Sequence, residues 1–181
     1  MVGQVSTIRR ASEHGLEWAQ LRAFGRQYEL RAGDEIVGSL SWMRTCGTAA
    51  SAVCEEGQWV FERPGIFSRK VQVREAGTGA EVGLFQSNWR GDGPLELADG
   101  RTYQWVHTNF WGTQWLFVGA AGEPLLRFQS RSRRFKMTAS VGIAPYALPA
   151  KELALLTMLG WYLMVLRSRE MSAAAAASAA S

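Results

Sequence analysis

Residues that could perform acid–base or metal chemistry are few in this sequence. It has two histidines, and the alternation in TYQWVHT puts His107 on one strand face with Tyr103 and Trp105, which favours a structural histidine. No group of His, Cys and carboxylate residues has the close spacing of a metal site. No nucleophile elbow, phosphate-binding loop or dinucleotide-binding motif is present. We therefore predict that the protein is not an enzyme and has no catalytic residue, metal or cofactor.

A basic run is the best candidate for a binding surface. No acidic residue lies between Glu123 and Glu152, although the net charge of the whole chain is only +4. The alternation predicts that Phe135 and Met137 face the core and that Arg134 and Lys136 face outward, with Arg131 and Arg133 in the preceding turn. The candidate ligand-binding residues for an anionic partner are Arg131, Arg133, Arg134 and Lys136.

Two interpretations of this run stay open. It can bind an anionic phospholipid surface, or it can be an edge strand whose charges only deter aggregation. Nucleic acid is not an expected partner, because few aromatic residues are interleaved with the basic ones.

The stretch NFWGTQW contains a second candidate site. Aromatic side chains at a hairpin tip can enter a membrane interface, and Phe110 and Trp111 are the candidate residues for that role. Alternatively, such a tryptophan folds back and closes one end of a β-barrel.

Most of the chain has the pattern of short antiparallel strands. Between residues 16 and 142, apolar and polar residues alternate in segments such as KVQVRE, and turn residues such as Asp99-Gly100 separate them. The segments number ten to twelve. Hairpins of similar form recur, as expected when each hairpin covers the apolar face of its neighbour in a closed barrel.

The segment LALLTMLGWYLMVL, residues 153–166, has no charged residue. As a helix it would be about 21 Å long, shorter than the ~30 Å hydrocarbon core of a bilayer. We therefore predict a mainly β fold, a closed antiparallel barrel of about 12 strands around one apolar C-terminal helix over 150–168. The alternative is a tail-anchored protein with 153–166 in the membrane and the β domain in the cytoplasm.

The expected organisation is a flexible N-terminus at 1–15, one barrel domain at 16–170 and an Ala/Ser tail at 171–181 that is disordered or a frayed helix. The first residues lack the apolar run of a secretory signal. A disulfide between Cys46 and Cys54 is not expected, because two cysteines make no disulfide framework. The expected location is the cytoplasm, at the inner face of the membrane if the basic run binds lipid.

The stretch LELADGRTYQWVHTNFWGTQWLFVGAAGEPLLRF, together with LALLTMLGWYLMVL, resembles the tubby C-terminal-like superfamily, including bacterial members. Plant LURP-one-related proteins and phospholipid scramblases share that fold. The resemblance covers residues 16–168 and implies a twelve-stranded barrel around a helix. Neither the C-terminal signature of eukaryotic tubby proteins nor an acidic calcium loop is present, so no site residue is carried over. The predicted function is a non-catalytic binding module for anionic lipid or another anionic partner.

Overall fold

Twelve strands form one closed antiparallel barrel in a computed structural model that describes residues 7–44, 47–65, 67–133 and 136–179. Each strand pairs with its neighbours in the chain, and β1 pairs with β12 to close the barrel. The predicted fold class is confirmed. The strands are β1 Leu16–Gln20, β2 Gln27–Ala32, β3 Glu35–Trp42, β4 Ala50–Cys54, β5 Gly57–Glu62, β6 Lys70–Glu75, β7 Glu81–Gln86, β8 Gly93–Leu97, β9 Thr102–His107, β10 Gln114–Val118, β11 Pro124–Arg133 and β12 Lys136–Ile143.

Four helical segments accompany the barrel in the part of the chain that the structure describes. They are α1 Ile8–Ala11, a 3-10 turn at Ser12–His14, a second 3-10 turn at Pro145–Ala147, and the long helix α2 Leu153–Ala179. The first fourteen residues of α2, 153–166, are all buried. A helix that is apolar on every side must be surrounded by apolar groups, and here the inner face of the barrel supplies them.

The two ends of the barrel are distinguished by α2. Glu152, just before the helix, pairs with Arg101 in the β8–β9 turn, and this end is called the entry end. Further along, the Tyr162 hydroxyl donates to the Thr48 carbonyl at 2.8 Å, and Glu170 pairs with Arg63. Thr48 and Arg63 belong to the β3–β4 and β5–β6 loops, so α2 leaves the barrel at this opposite, exit end.

Stacked aromatic rings hold α2 inside the barrel. Trp161 stacks on Trp18 of β1 with ring centroids 5.6 Å apart, and Tyr162 stacks on Trp42 of β3 at 5.1 Å. Burial raises the pKa of the Tyr162 phenol above its usual value, so the hydroxyl stays protonated and remains a hydrogen-bond donor. The segment proposed as a tail anchor in the alternative interpretation is therefore the core of the barrel. No described helix combines the length and the hydropathy that crossing a membrane requires.

At Gly160, α2 packs closely against the barrel wall. A Cβ atom built there would lie 2.4 Å from Cζ of Phe128, a ring that is fully buried. The Phe128 ring cannot move without disturbing its packing against Trp105, 5.4 Å away between centroids. Glycine at this point in the helix is therefore required by the distance to β11.

We expect Gly160→Ala to lower the free energy of unfolding. Overpacking in a core costs about 1–3 kcal/mol, which exceeds the helix propensity of at most about 1 kcal/mol that alanine gains over glycine. Chemical denaturation measures the difference. Gly77→Ala is the control, because nothing lies within 4 Å of a Cβ built at that turn. Equal stability of the Gly160 variant and wild type would mean that α2 does not contact Phe128 this closely.

The described part of the N-terminus differs from the flexible segment that was expected. Ile8 of α1 is fully buried and its backbone N–H donates to Glu56 at 2.7 Å, so the N-terminal segment from residue 7 onward is folded against the entry end. The Ala/Ser segment continues α2 as far as Ala179, because alanine has the highest helix propensity and extends a helix that is already nucleated. Residues 1–6 and 180–181 lie outside the described residues.

Cys54 on β4 is a free, partly buried thiol. Burial and the nearby Glu56 carboxylate raise the pKa of this thiol to about 12, so the reactive thiolate is scarce at neutral pH. Cys46 lies outside the described residues, and the prediction about a disulfide stays a prediction.

Candidate functional site

Exposed apolar side chains gather at the exit end of the barrel. Among the described residues, eleven large hydrophobic side chains are exposed; seven lie in exit-end loops and one lies on the part of α2 that emerges there. Each of the five described exit-end loops contributes at least one. They are Leu21 and Phe24 (β1–β2), Met43 (β3–β4), Phe67 (β5–β6), Trp89 (β7–β8), and Phe110 and Trp111 (β9–β10), with Met171 on α2. We call this set the apolar rim.

Phe24 shows that the rim is built at a cost in backbone conformation. Its φ angle is 58°, the only positive φ among the described non-glycine residues, and its side chain is 85% exposed. A bulky residue in the left-handed region is strained, and such strain persists mainly at functional positions. The positive φ and the exposed phenyl ring therefore make Phe24 a candidate functional residue.

Arginines accompany the apolar rim. The described residues of the exit-end loops contain six arginines and a single carboxylate, Asp92. The arginines are Arg22, Arg26, Arg44, Arg63, Arg69 and Arg90. Arg167 and Arg169 add two more where α2 emerges, close to Glu170.

The entry end has the opposite charge. Its turns contain five carboxylates and one arginine, Arg101, which is paired with Asp99 and Glu152. The carboxylates are Asp34, Glu55, Glu56, Asp99 and Glu123. Counting α1, the 3-10 turn after it and residues 151–152 leaves this end net negative. The barrel is therefore polarised along its axis, positive and apolar at one end and negative at the other.

The predicted basic run adjoins the exit end. Strand β11 extends through Arg133, so Arg131 and Arg133 lie in a strand and not in the expected turn. Arg131 and Lys136 are exposed, and the Lys136 ammonium donates to the Leu21 carbonyl of the β1–β2 loop at 3.2 Å. The side chain of Arg133 and the whole of Arg134 lie outside what the structure describes.

Phe110 and Trp111 lie at the tip of the β9–β10 hairpin, 93% and 81% exposed. The loop is held by Asn109, whose side-chain oxygen accepts from the N–H groups of Thr113 and Gln114 at 2.9 and 3.1 Å. Neither aromatic side chain folds back over the barrel. Insertion into a membrane interface is compatible with this exposure and stays a prediction.

His107 is tied into the structure by Asp92. The Asp92 carboxylate accepts from the His107 backbone N–H at 2.8 Å and lies 2.6 Å from the ring Nδ1. The imidazole also contacts Trp115, with centroids 5.4 Å apart. These contacts fix the β7–β8 loop against β9, which accords with the structural role predicted for this histidine.

At the entry end, charged groups close the barrel. The buried Glu152 carboxylate accepts hydrogen bonds from the Tyr103 hydroxyl and the Arg101 guanidinium. Hydrogen bonds from Arg101 also lower the pKa of Asp99. The cluster ties the residue before α2 to β9 and to the β8–β9 turn.

Sequence reasoning missed most of the exit-end surface because it considered contiguous runs. The residues of this surface recur in every second loop of the sequence, because the connections of an antiparallel barrel alternate between its two ends. Taken together, those loops combine arginine with an exposed aromatic or methionine in four of five cases.

Comparison with known proteins yields a similarity of fold only. No protein-family model matches the sequence, and no curated protein matches it. A solved X-ray structure of a LURP-one-related protein from Arabidopsis thaliana is similar in architecture, with a TM-score of 0.49 and 10% sequence identity. The alignment covers 80% of this chain and 90% of that one.

Proposed function

We propose that this protein is a non-catalytic, tubby-like module that docks on an anionic phospholipid membrane with the exit end of its barrel. The observation that carries the proposal is the polarity of the barrel: apolar side chains and arginines occupy one end, and carboxylates occupy the other. An anionic bilayer attracts the positive end and repels the negative one, so charge alone orients the molecule before contact.

The apolar rim supplies the second part of the interaction. Exposed Phe and Trp side chains are costly in water and favourable at the level of lipid headgroups. They stand on separate loops around the barrel mouth, so several can enter the interface together. The alternative of a solubilising edge strand does not fit the closed barrel, because β11 and β12 are each paired with a strand on both sides. It also gives no reason for the exposed apolar residues at the same end.

The emerging part of α2 is compatible with this orientation. The nine helical residues after Glu170, 171–179, contain no charged side chain and form about 13 Å of helix. Alanine and serine side chains carry no charge that would have to be desolvated on entering the headgroup region. The proposed location is therefore the inner face of a membrane, with no cofactor and no nucleic acid partner.

Co-sedimentation with vesicles tests the proposal. We expect binding to vesicles containing phosphatidylglycerol, little binding to phosphatidylcholine vesicles, and weaker binding as salt rises, because the Debye length falls from about 10 Å at 0.1 M to about 3 Å at 1 M. Replacement of Arg131, Arg133, Arg134 and Lys136 together by Ser should weaken binding only in part, since other arginines remain. Equal sedimentation with both lipids at low salt would contradict the proposal.

A further inference from the structure

A cleft of about 830 Å³ opens at the exit end between the emerging part of α2 and two of the loops. One wall is a single face of α2, formed by Met164, Arg167, Ser168, Met171, Ser172 and Ala175. Their spacing of three and four residues keeps them in line along the helix. The opposite wall is formed by the β7–β8 and β9–β10 loops, with Trp89, Arg90, Phe110 and Trp111.

The floor of the cleft is rigid. Trp115 is 2% exposed, and its indole N–H donates to the Gly112 carbonyl at 2.9 Å. His107 lies beside it and is held by Asp92. The walls are thus mostly aromatic, thioether and small side chains on a fixed base, which is the composition of a site for an apolar molecule.

Two guanidinium groups interrupt this apolar lining. Arg90 lies over the Trp89 ring at 4.6 Å, and Arg167 lies over the Trp115 ring at 5.5 Å. Both arginines line the cleft, and Gly91, which follows Arg90 in the chain, lies close to Arg167: a Cβ built on Gly91 would be 2.7 Å from Nη1 of Arg167. In the described parts of the chain, no carboxylate lines the cleft or forms an ion pair with either arginine.

We infer that this cleft binds one acyl chain of an anionic lipid, with the lipid phosphate at Arg90 and Arg167. Guanidinium groups stacked on indoles are already oriented, and their planar donors match phosphate oxygens in pairs. The wall from Met164 to Ala175 is about 16 Å long, close to the ~15 Å that an acyl chain spans in half of a bilayer core. The inference deepens the proposed docking, which would bring the cleft against lipid.

Three probes that differ by one part each test the inference in the absence of a membrane. Lysophosphatidic acid has chain and phosphate, monoacylglycerol of the same chain lacks the phosphate, and glycerol 3-phosphate lacks the chain. Below their aggregation concentrations, calorimetry and the fluorescence of Trp89 and Trp111 report binding. We expect the first to bind about tenfold or more tighter than the second, and no measurable binding of the third. Equal affinity of the first two, or of the first and third, would overturn the inference.

Variants locate the binding. Arg90→Gln with Arg167→Gln should reduce the affinity for lysophosphatidic acid to that for monoacylglycerol. Ser172→Trp should fill the cleft and abolish binding of both, whereas Ala173→Trp, the matched control on the adjacent helix face, should bind as wild type does. If Ser172→Trp binds the probes normally, the ligand is elsewhere and the inference fails.

The inference and the proposed function fail separately. Ser172→Trp should keep its salt-sensitive sedimentation with phosphatidylglycerol vesicles, because that depends on charges all around the exit end. If Ser172→Trp no longer binds lysophosphatidic acid but still binds vesicles as wild type does, both the inference and the proposed function are supported. If the wild-type protein binds lysophosphatidic acid but does not bind vesicles, the inference about the cleft holds and the docking proposal is wrong.

Discussion

Leu159→Asp is expected to leave the protein without a cooperative unfolding transition. Leu159 is fully buried near the middle of the apolar half of α2. Loss of a large core side chain costs about 2–5 kcal/mol, and an unpaired buried charge adds several more. A single domain is stable by only about 5–15 kcal/mol in total, so the variant loses most or all of that margin.

Truncation after Ala150 should have the same result for a different reason. A barrel of twelve strands is too wide for its own side chains to fill, and removing α2 exposes the apolar inner wall to water. Near-UV circular dichroism and size-exclusion chromatography measure the loss of packed aromatics and the aggregation that follows.

Two matched variants should behave as wild type. Ala176→Asp introduces the same charge into the exposed part of the same helix, and deletion of residues 173–181 removes only exposed side chains among those described. Both should leave the melting temperature nearly unchanged. A truncated chain that stays monomeric with an unchanged near-UV spectrum would show that α2 is not the core of the barrel.

The barrel could be predicted because its physical cause is local. Alternation in segments such as KVQVRE identifies strands that have one buried face, and β6 has this pattern with Val71 and Val73 inside. The position of α2 followed from length: a 21 Å apolar helix is too short for a bilayer and needs an apolar cavity.

The termini could not be predicted in the same way, because their order depends on distant contacts. Ile8 is fully buried, and its backbone N–H donates to Glu56, 48 positions away in the chain. The Ala/Ser segment alone lacks the length for a stable isolated helix, but α2 provides the nucleus from which it extends.

The candidate site was predictable only in fragments. The sequence placed Phe110 and Trp111 at a hairpin tip and identified the basic run, and both lie at the exit end or beside it. What unites them with Phe24, Phe67 and Trp89 is the alternation of loops between barrel ends, which requires the strand order. Prediction of the cleft would also require knowing where α2 leaves the barrel, and no local sequence pattern indicates that position.

Reversing three exit-end charges should have the largest effect on membrane binding. Arg22, Arg44 and Arg69 are exposed on three different loops. Each cation near an anionic bilayer contributes about 1 kcal/mol, so Arg→Glu at all three should weaken phosphatidylglycerol binding at least about 100-fold at low salt. The fold should be unaffected, because these side chains are exposed.

The matched control is a triple Arg→Glu variant near the entry end, which changes the net charge by the same amount. Arg10, Arg74 and Arg127 lie on α1 and on the entry-end halves of β6 and β11. Their replacement by Glu alters total charge equally, so a surface that docks in one orientation should keep most of its vesicle binding. If both triple variants lose binding to the same extent, the interaction follows net charge and the barrel has no preferred membrane-facing end.

The apolar rim should contribute a part of the vesicle affinity that does not decrease as the salt concentration rises. Replacing Phe24, Phe67 and Trp111 by Ser leaves every arginine in place, and full burial of such a side chain is worth about 1.5–3 kcal/mol. With partial insertion of three rings, we expect the triple variant to bind at least about tenfold more weakly than wild type. The difference should remain at 0.5 M salt, where the arginine contribution is largely screened.

Fluorescence tests whether Trp111 enters the interface. Blue-shifted tryptophan emission on addition of vesicles, lost in the variant with Trp111→Ser alone, would place that ring in the interface. An apolar triple variant that binds as wild type does at every salt concentration would reduce the interaction to electrostatic attraction and leave the exposed rings without a role in docking.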